Sequence, residues 1–224
     1  MVEAAIFDID GTLVDSVDLH ALAWHEAFAH FGHDVSFEQA RSQIGKGGDK
    51  LRPVFLSDAQ NRDHGEALEQ WRGAHFKKHY LALVRPFSAV PDLLRRIRDK
   101  GLKLAAASSA KQDELEVYLD IAQVGALFDT TASSADAEQS KPAPDIFEAA
   151  LHKLGTAPHH AMAIGDSPYD AQAASRLGMR TIGLLSGCFT EQALREAGCI
   201  AVYPGPGALF ACLDASPLIA GSGH

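Results

Sequence analysis

Cysteines that could pair into a disulfide framework are missing from this chain. Cys188, Cys199 and Cys212 form an odd set without metal-type spacing, which argues against both a disulfide framework and a thiolate metal site. Such a set fits a reducing, cytoplasmic setting in which thiols are simply buried. Positive charge is in short supply too: 20 Lys and Arg face 29 Asp and Glu, for a formal net charge of -9. A phosphate backbone demands a basic face, so nucleic acid is excluded as the main partner. An anionic substrate must instead be met by a few cations gathered at one place. No apolar run approaches the roughly 18 residues of a membrane helix, and Ala4 to Phe7 is too short for a secretory leader. No internal repeat is found. What remains is an ordinary globular composition, 46% hydrophobic and 22% charged over 224 residues, enough for one core with a small insert.

The short apolar run Ala4 to Phe7 reads as a buried strand, and it ends in Asp8-Ile9-Asp10-Gly11-Thr12. Strand alternation sends Asp8 and Asp10 to the same side. Two acids on one side repel unless a cation or a shared proton relieves them, and an all-oxygen site suits Mg²⁺. Turns also favour Asp and Gly, so these residues alone leave both readings open.

After Ser16 the pattern becomes helical. Val17, Ala21, Trp24, Phe28 and Phe31 recur at spacings of three and four, and Gly32 ends the helix. Of its histidines, His25 and His30 read as solvent-facing or hydrogen-bonded, whereas His20 lies near the helix start and so near the acids. Residues 33–83 read as helical and rich in charge, without a strand. Ser36-Phe37-Glu38-Gln39 predicts a helix start, and Gln60 to Tyr80 a helix with Leu68, Trp71, His75 and His79 on one side. Between them, Ile44-Gly45-Lys46-Gly47-Gly48-Asp49 is a loop that either offers amides and a cation to an anion or merely joins two helices. From Val84 the chain alternates. Helices are expected at Pro91–Lys100, Glu114–Val124, Pro144–Leu154, Tyr169–Leu177, Glu191–Ala197 and Gly207–Leu213. Strands are expected at Leu102–Ala107, Phe128–Ala132, Ala161–Ile164, Arg180–Leu185 and Ile200–Tyr203. This is α/β grammar, a Rossmann-like parallel sheet with helices on both faces, and ligands in such sheets sit at the carboxyl ends of strands. The tail from Ala215 to His224 reads as loose.

At those strand ends stand Asp8 and Asp10, Ser108-Ser109, and Gly165-Asp166-Ser167-Pro168-Tyr169-Asp170, with Lys141 ahead of Pro142 nearby. Each alone has a bland account as a cap, a turn or a surface lysine. Together they form one constellation at the ligand-binding edge.

These stretches, in this order and spacing, resemble the four motifs of the haloacid dehalogenase superfamily, in the phosphatase branch with a helical cap after the first strand. The resemblance covers nearly the whole chain and implies a core of residues 1–15 and 84–224 with a cap of 16–83. It implies that Asp8 attacks phosphorus to form an aspartyl-phosphate, that Asp10 is the general acid and base, and that Lys141 adds a second cation. Mg²⁺ is the implied cofactor, held by Asp8, the Asp10 carbonyl, Asp166 and Asp170. Ser108 and the backbone amides of Gly11 and Ser109 are implied to hold the phosphoryl oxygens, with Thr12, His20, Gly45 and Lys46 completing the substrate site. The implied partner is a small phosphorylated metabolite of the phosphoglycolate or sugar-phosphate type, turned over by a monomer or homodimer. Asp10 speaks against halide release. His20 matches a histidine of the β-phosphoglucomutase-like group, whose cap-loop arginine has no counterpart here, although Lys46 or Lys50 could stand in for it. A signalling receiver domain would share acids, a hydroxyl and a lysine, but is shorter and lacks the cap.

Overall fold

The computed structural model describes residues 1–220. Its elements run β1 (Ala4–Phe7), β2 (Val14–Asp15), α1 (Val17–His30), α2 (Phe37–Arg41), α3 (Gly48–Phe55), α4 (Asp58–His79) and β3 (Arg85–Pro86). They continue α5 (Val90–Asp99), β4 (Lys103–Ala107), α6 (Gln112–Ala122), β5 (Thr130–Ala132), α7 (Asp145–Leu154) and β6 (Ala161–Gly165). The chain closes with α8 (Pro168–Arg176), β7 (Arg180–Leu184), α9 (Glu191–Glu196), β8 (Cys199–Tyr203) and α10 (Pro206–Ala211).

Six strands form one parallel sheet in the order β5-β4-β1-β6-β7-β8. β1 is central because its four residues are apolar and fully buried, so both faces must be covered. Alternation divides them. Ala5 and Phe7 pack with Leu104, Met162 and Ile182 under α5, α6 and α10, while Ala4 and Ile6 pack with Ala105 and Ala163 under α7 and α8. Successive connections leave β1 in opposite directions, β4 and β5 to one side and β6, β7 and β8 to the other. The resulting switch point lies at the carboxyl end of β1, where a crevice is available for a ligand. Phe7 pairs with Ala106 and with Ile164, so this register sets Asp8 level with Ala107 and Gly165, with Ser108 and Asp166 one residue beyond on the neighbouring strands.

The helices α1 to α4 share a separate apolar cluster of Val17, Ala21, Trp24, Phe28, Leu51 and Leu68, among others. The Ser36 cap is present, with Gln39 reciprocating, and an equivalent box at Ser57 and Gln60 starts α4. On α4 the buried positions are Gly65, Leu68 and Phe76, with Trp71 and His75 half-buried and His79 exposed. The expected face was therefore rotated toward Phe76, which stacks on His20. The antiparallel pair β2–β3, Val14 to Pro86 and Asp15 to Arg85, ties together the two ends of the helical stretch. Two-residue strands are too short to leave an alternation in the sequence.

Three further expectations are corrected. Of the cysteines, Cys199 is buried, Cys188 half-buried and Cys212 exposed. β5 begins at Thr130 rather than Phe128. The tail is packed as far as described, with Ser216 and Leu218 fully buried and the Ser216 hydroxyl donating to Leu213 O; residues 221–224 lie outside the described residues.

His33 and His64 meet through their Nε2 atoms at 2.7 Å, so one proton is shared between them. Burial and the neighbouring His64 lower the pKa of His33 below its ordinary 6.5. A histidine harder to protonate in the folded state leaves stability whole above the unfolded value and erodes it as pH falls below. Urea midpoints at neutral pH and at about pH 5 should therefore differ more for the wild type than for His64→Gln. Equal differences would remove the pair as the cause.

Candidate active site at the carboxyl ends of β1, β4 and β6

Asp8 follows β1 directly, and its N–H donates to Ile164 O at 2.9 Å, continuing the ladder. Its carboxylate faces Lys141 Nζ at 2.5 Å. That ammonium also lies 2.7 Å from Asp170 Oδ1 and donates to Ala107 O at 3.2 Å. Lys141 is 1% exposed, so a surface role is ruled out. Burial would lower its pKa, but Asp170 and Asp8 outweigh that and raise it. Asp8 itself is pushed up to about 7 by burial, with Lys141 opposing.

Asp166 directly follows β6, and Asp170 sits in the first turn of α8. Ser167 caps that helix: its hydroxyl accepts from Asp170 N and donates to Asp170 Oδ2, which also accepts from Ser167 N. This consumes Oδ2 and leaves Oδ1, near Lys141, without an aligned hydrogen bond. One oxygen from each of Asp8, Asp166 and Asp170 lies within 4.8 Å of the others, all buried. Burial and the charges of Asp8 and Asp170 hold the Asp166 carboxyl well above the ordinary range. Three buried carboxylates served by one ammonium, whose ion pairs are to Asp8 and Asp170, keep an excess of negative charge and make a donor set that fits a hard divalent cation such as Mg²⁺.

Asp10 belongs to a different network. Ser16 Oγ donates to its Oδ1 at 2.5 Å, and His20 Nε2 lies 3.0 Å from the same oxygen. Burial alone would raise the Asp10 carboxyl, but His20 and Ser16 hold it below the usual range. Arg72 Nη1 stands 3.3 Å from His20 Nδ1 and can only donate, so Nδ1 accepts and Nε2 carries the proton. That proton is shared by Asp10 and by Tyr118 Oη at 3.0 Å, whose own hydrogen goes to Glu114 Oε1 at 2.7 Å. Phe76 covers the imidazole face at 4.1 Å, and Trp24 lies under the Arg72 guanidinium at 4.9 Å. Asp10 thus has different surroundings from Asp8 two residues earlier.

A cavity of about 700 Å³ opens over these groups, its lining including Asp8, Asp10, His20, Lys46, Arg72 and Ser109. Ser109 Oγ is buried with no hydrogen-bond partner among the described residues, whereas Ser108 Oγ accepts from Ala110 N at 3.1 Å. Three placements differ from expectation. Thr12 is fully buried and turned away to Asp166 Oδ1, at 3.4 Å, so it steadies that carboxylate instead of touching substrate. The Gly11 amide donates to Val14 O at 2.8 Å and is not free to hold a phosphoryl oxygen. Lys46 reaches the cavity wall, but its ammonium donates to Gln43 Oε1 at 2.6 Å and lies over the Tyr169 ring.

The Gly45–Gly48 loop packs directly on the strand-end loops. Gly45 has φ +103°, and a Cβ there would meet Ser167 Oγ at 2.7 Å; one on Gly47 would meet Ser140 Oγ at 2.0 Å. Tyr169 Oη donates to Ser42 O, Ser140 N to Asp49 Oδ2, and Lys50 Nζ to Gln139 Oε1. Sequence reasoning missed Ser16, Glu114, Tyr118, Ser186 and Gly187. Glu114 and Tyr118 share a helix face at a spacing of four, but nothing in the sequence says that the face meets His20.

The sequence matches the haloacid dehalogenase-like hydrolase family model over residues 5–184. It is 29% identical over 181 residues to a phosphoglycolate phosphatase of Aquifex aeolicus, covering 79% of this chain and 81% of the relative. It is 28% identical over 185 residues to a putative pyrophosphatase PpaX of Clostridium perfringens, covering 82% and 84%. A crystal structure of a hydrolase from Pseudomonas syringae superposes with a TM-score of 0.87 at 28% identity, covering 95% of this chain and 98% of that one.

Proposed function

This chain belongs to the haloacid dehalogenase-like hydrolase family, and on that premise we propose that it is a Mg²⁺-dependent phosphatase of small organic phosphate monoesters. The observation that carries the reading is the buried cluster of Asp8, Lys141, Asp166 and Asp170 beside a second acid, Asp10, held by separate contacts. Asp8 attacks phosphorus: its carboxylate oxygen forms the new O–P bond while the ester O–P bond breaks. Asp10 protonates the departing oxygen, then takes a proton from water as that water displaces Asp8 and releases inorganic phosphate. In the present arrangement His20 and Ser16 favour ionised Asp10, the form the second half-reaction needs, and the proton it takes from water there is the one it gives to the next leaving oxygen. Asp8, Asp166 and Asp170 would hold Mg²⁺, with the Asp10 carbonyl, and the ion would neutralise charge between nucleophile and phosphate. Lys141 adds a fixed positive charge at the same oxygen. Residues 16–83 act as a cap over a core of 1–15 and 84–224, and Arg72 and Ser109 face the substrate from the two sides.

The relatives' names direct the substrate class toward phosphoglycolate or pyrophosphate, and a sugar phosphate belongs to the same proposed class of small phosphorylated metabolites. A β-phosphoglucomutase-like activity is the second reading, favoured by the His20–Asp10 contact. It is disfavoured by Lys46 and Lys50, the two stand-ins for a second-phosphate anchor, which are engaged by Gln43 and Gln139. Phosphorylated metabolites assayed with Mg²⁺ for both phosphate release and isomer formation separate the two. Phosphate release without isomers is expected; isomers without phosphate would transfer the assignment to the mutase. Asp10→Ala should slow steady-state turnover by about 10²–10⁴-fold, as loss of a general acid and base does. Phosphorylated protein, read by mass spectrometry, should persist. Full turnover in this variant would take the proton role away from Asp10.

A further inference from the structure

The loop after β7 makes no motif and attracts no attention in the sequence, yet it forms a wall of the carboxylate cluster. Gly183 of β7 pairs with Gly165 of β6, so the residues that follow the two strands run side by side. A Cβ on Gly187 would fall 1.9 Å from Asp166 Oδ2 and 2.7 Å from its carboxyl carbon. A Cβ on Gly11, which has φ +72°, would fall 2.4 Å from the same oxygen. Asp166 Oδ2 is therefore clasped between two glycine backbones, while Oδ1 meets Thr12 at the long distance of 3.4 Å.

The clasp is braced. Leu185 N donates to Tyr203 O at 2.9 Å, Ser186 Oγ to Gly11 O at 2.6 Å, and Cys188 Sγ to Arg41 O at 3.3 Å. The Ser186 bond joins the two walls, so the width of the slot is set by one hydroxyl. Main chain pressed against a carboxylate excludes water and leaves no room for a neighbouring side chain to neutralise it. The carboxylate is thereby kept in place and short of donors.

We propose that Gly187, braced through Ser186 to Gly11, is a positioning residue for divalent-cation binding: it holds Asp166 pre-set and undersolvated. This rests on the Mg²⁺ reading above and assigns a role to residues outside the motifs. Supports behind a metal ligand typically change metal affinity by 10–100-fold, so Gly187→Ala should weaken Mg²⁺ binding by at least about tenfold. Ser186→Ala removes atoms and adds no clash, and should weaken binding in the same direction by a smaller factor. Gly205 is extended, and a Cβ there would meet the Ser186 side chain only at ordinary van der Waals distance, 3.6 Å to Cβ and 3.9 Å to Oγ, so Gly205→Ala leaves the brace in place and serves as the neighbouring control.

The experiment is calorimetric titration of Mg²⁺ into the wild type and these three variants, with circular dichroism of each. Weakened binding in folded Gly187→Ala and in Ser186→Ala, with Gly205→Ala like the wild type, supports the proposal. Folded Gly187→Ala with wild-type affinity overturns it, as does equal loss in Gly205→Ala. Should Gly187→Ala not fold, Ser186→Ala decides, and wild-type affinity there overturns it. A wild type that binds no Mg²⁺ overturns the metal reading and this proposal together, which distinguishes that failure from the others.

Discussion

Asp8→Asn should lose turnover of a generic phosphate monoester by about 10⁴-fold or more, the scale on which removal of a catalytic nucleophile acts. The amide matches the carboxylate in shape and its oxygen can still accept from Lys141, which otherwise lies 2.5 Å from Asp8 Oδ1. The fold should therefore persist. Taking one negative charge from a buried group of three carboxylates also relieves repulsion, so thermal stability without metal should hold or rise. Two readouts separate chemistry from collapse. Hydroxylamine-sensitive phosphoprotein, seen when the wild type is quenched during turnover, should vanish, while circular dichroism stays unchanged. Turnover close to the wild type would remove Asp8 as the nucleophile and, with it, the proposed reaction.

Lys141→Met carries the largest expected effect on stability. The ammonium is 1% exposed and stands between Asp8 and Asp170, so its loss leaves buried carboxylates without their internal cation. Breaking a buried pair by deleting one partner costs roughly 3–5 kcal/mol. For a chain of this size each kcal/mol moves the midpoint by about 2–4 °C, so Tm should fall by roughly 6–20 °C at neutral pH. The sign of the pH dependence follows from the partners. Asp8 and Asp166 already have raised pKa values, and without the lysine they gain more by taking protons. The deficit should therefore shrink at about pH 5, where these carboxyls take up protons and lose their own charge. Mg²⁺ should also recover part of it by binding the folded state alone. A variant as stable as the wild type at neutral pH without Mg²⁺ would mean that Lys141 is dispensable to the cluster.

What is legible in the sequence depends on distance along the chain. Asp8 and Asp10 are legible because the strand is short, apolar and ends abruptly. Lys141 is legible because it precedes Pro142, close to a helix start, and stands out once the other strand ends are in view. Thr12 was misjudged because Gly11 turns the chain at φ +72°, which sends the hydroxyl to Asp166 and not to the cavity. Phe76 was not singled out because α4 has charged residues around it, and only the packing of His20 shows which of its faces is covered. Ser186 and Gly187 were not seen at all, since their relation to Asp166 runs through the register of two strands.

Local periodicity and turn chemistry were sufficient for the α/β alternation, the helical insert and the acids at the strand ends, because each is set by neighbours a few residues away. What only the tertiary structure decided is which of those groups face one another. The order of the six strands brings Asp8, Lys141, Asp166 and Asp170 into one buried site, and the packing of α1, α4 and α6 gives Asp10 its own partners. The physical reason is that burial and Coulomb energy depend on spatial separation, which a linear chain specifies only after it has folded.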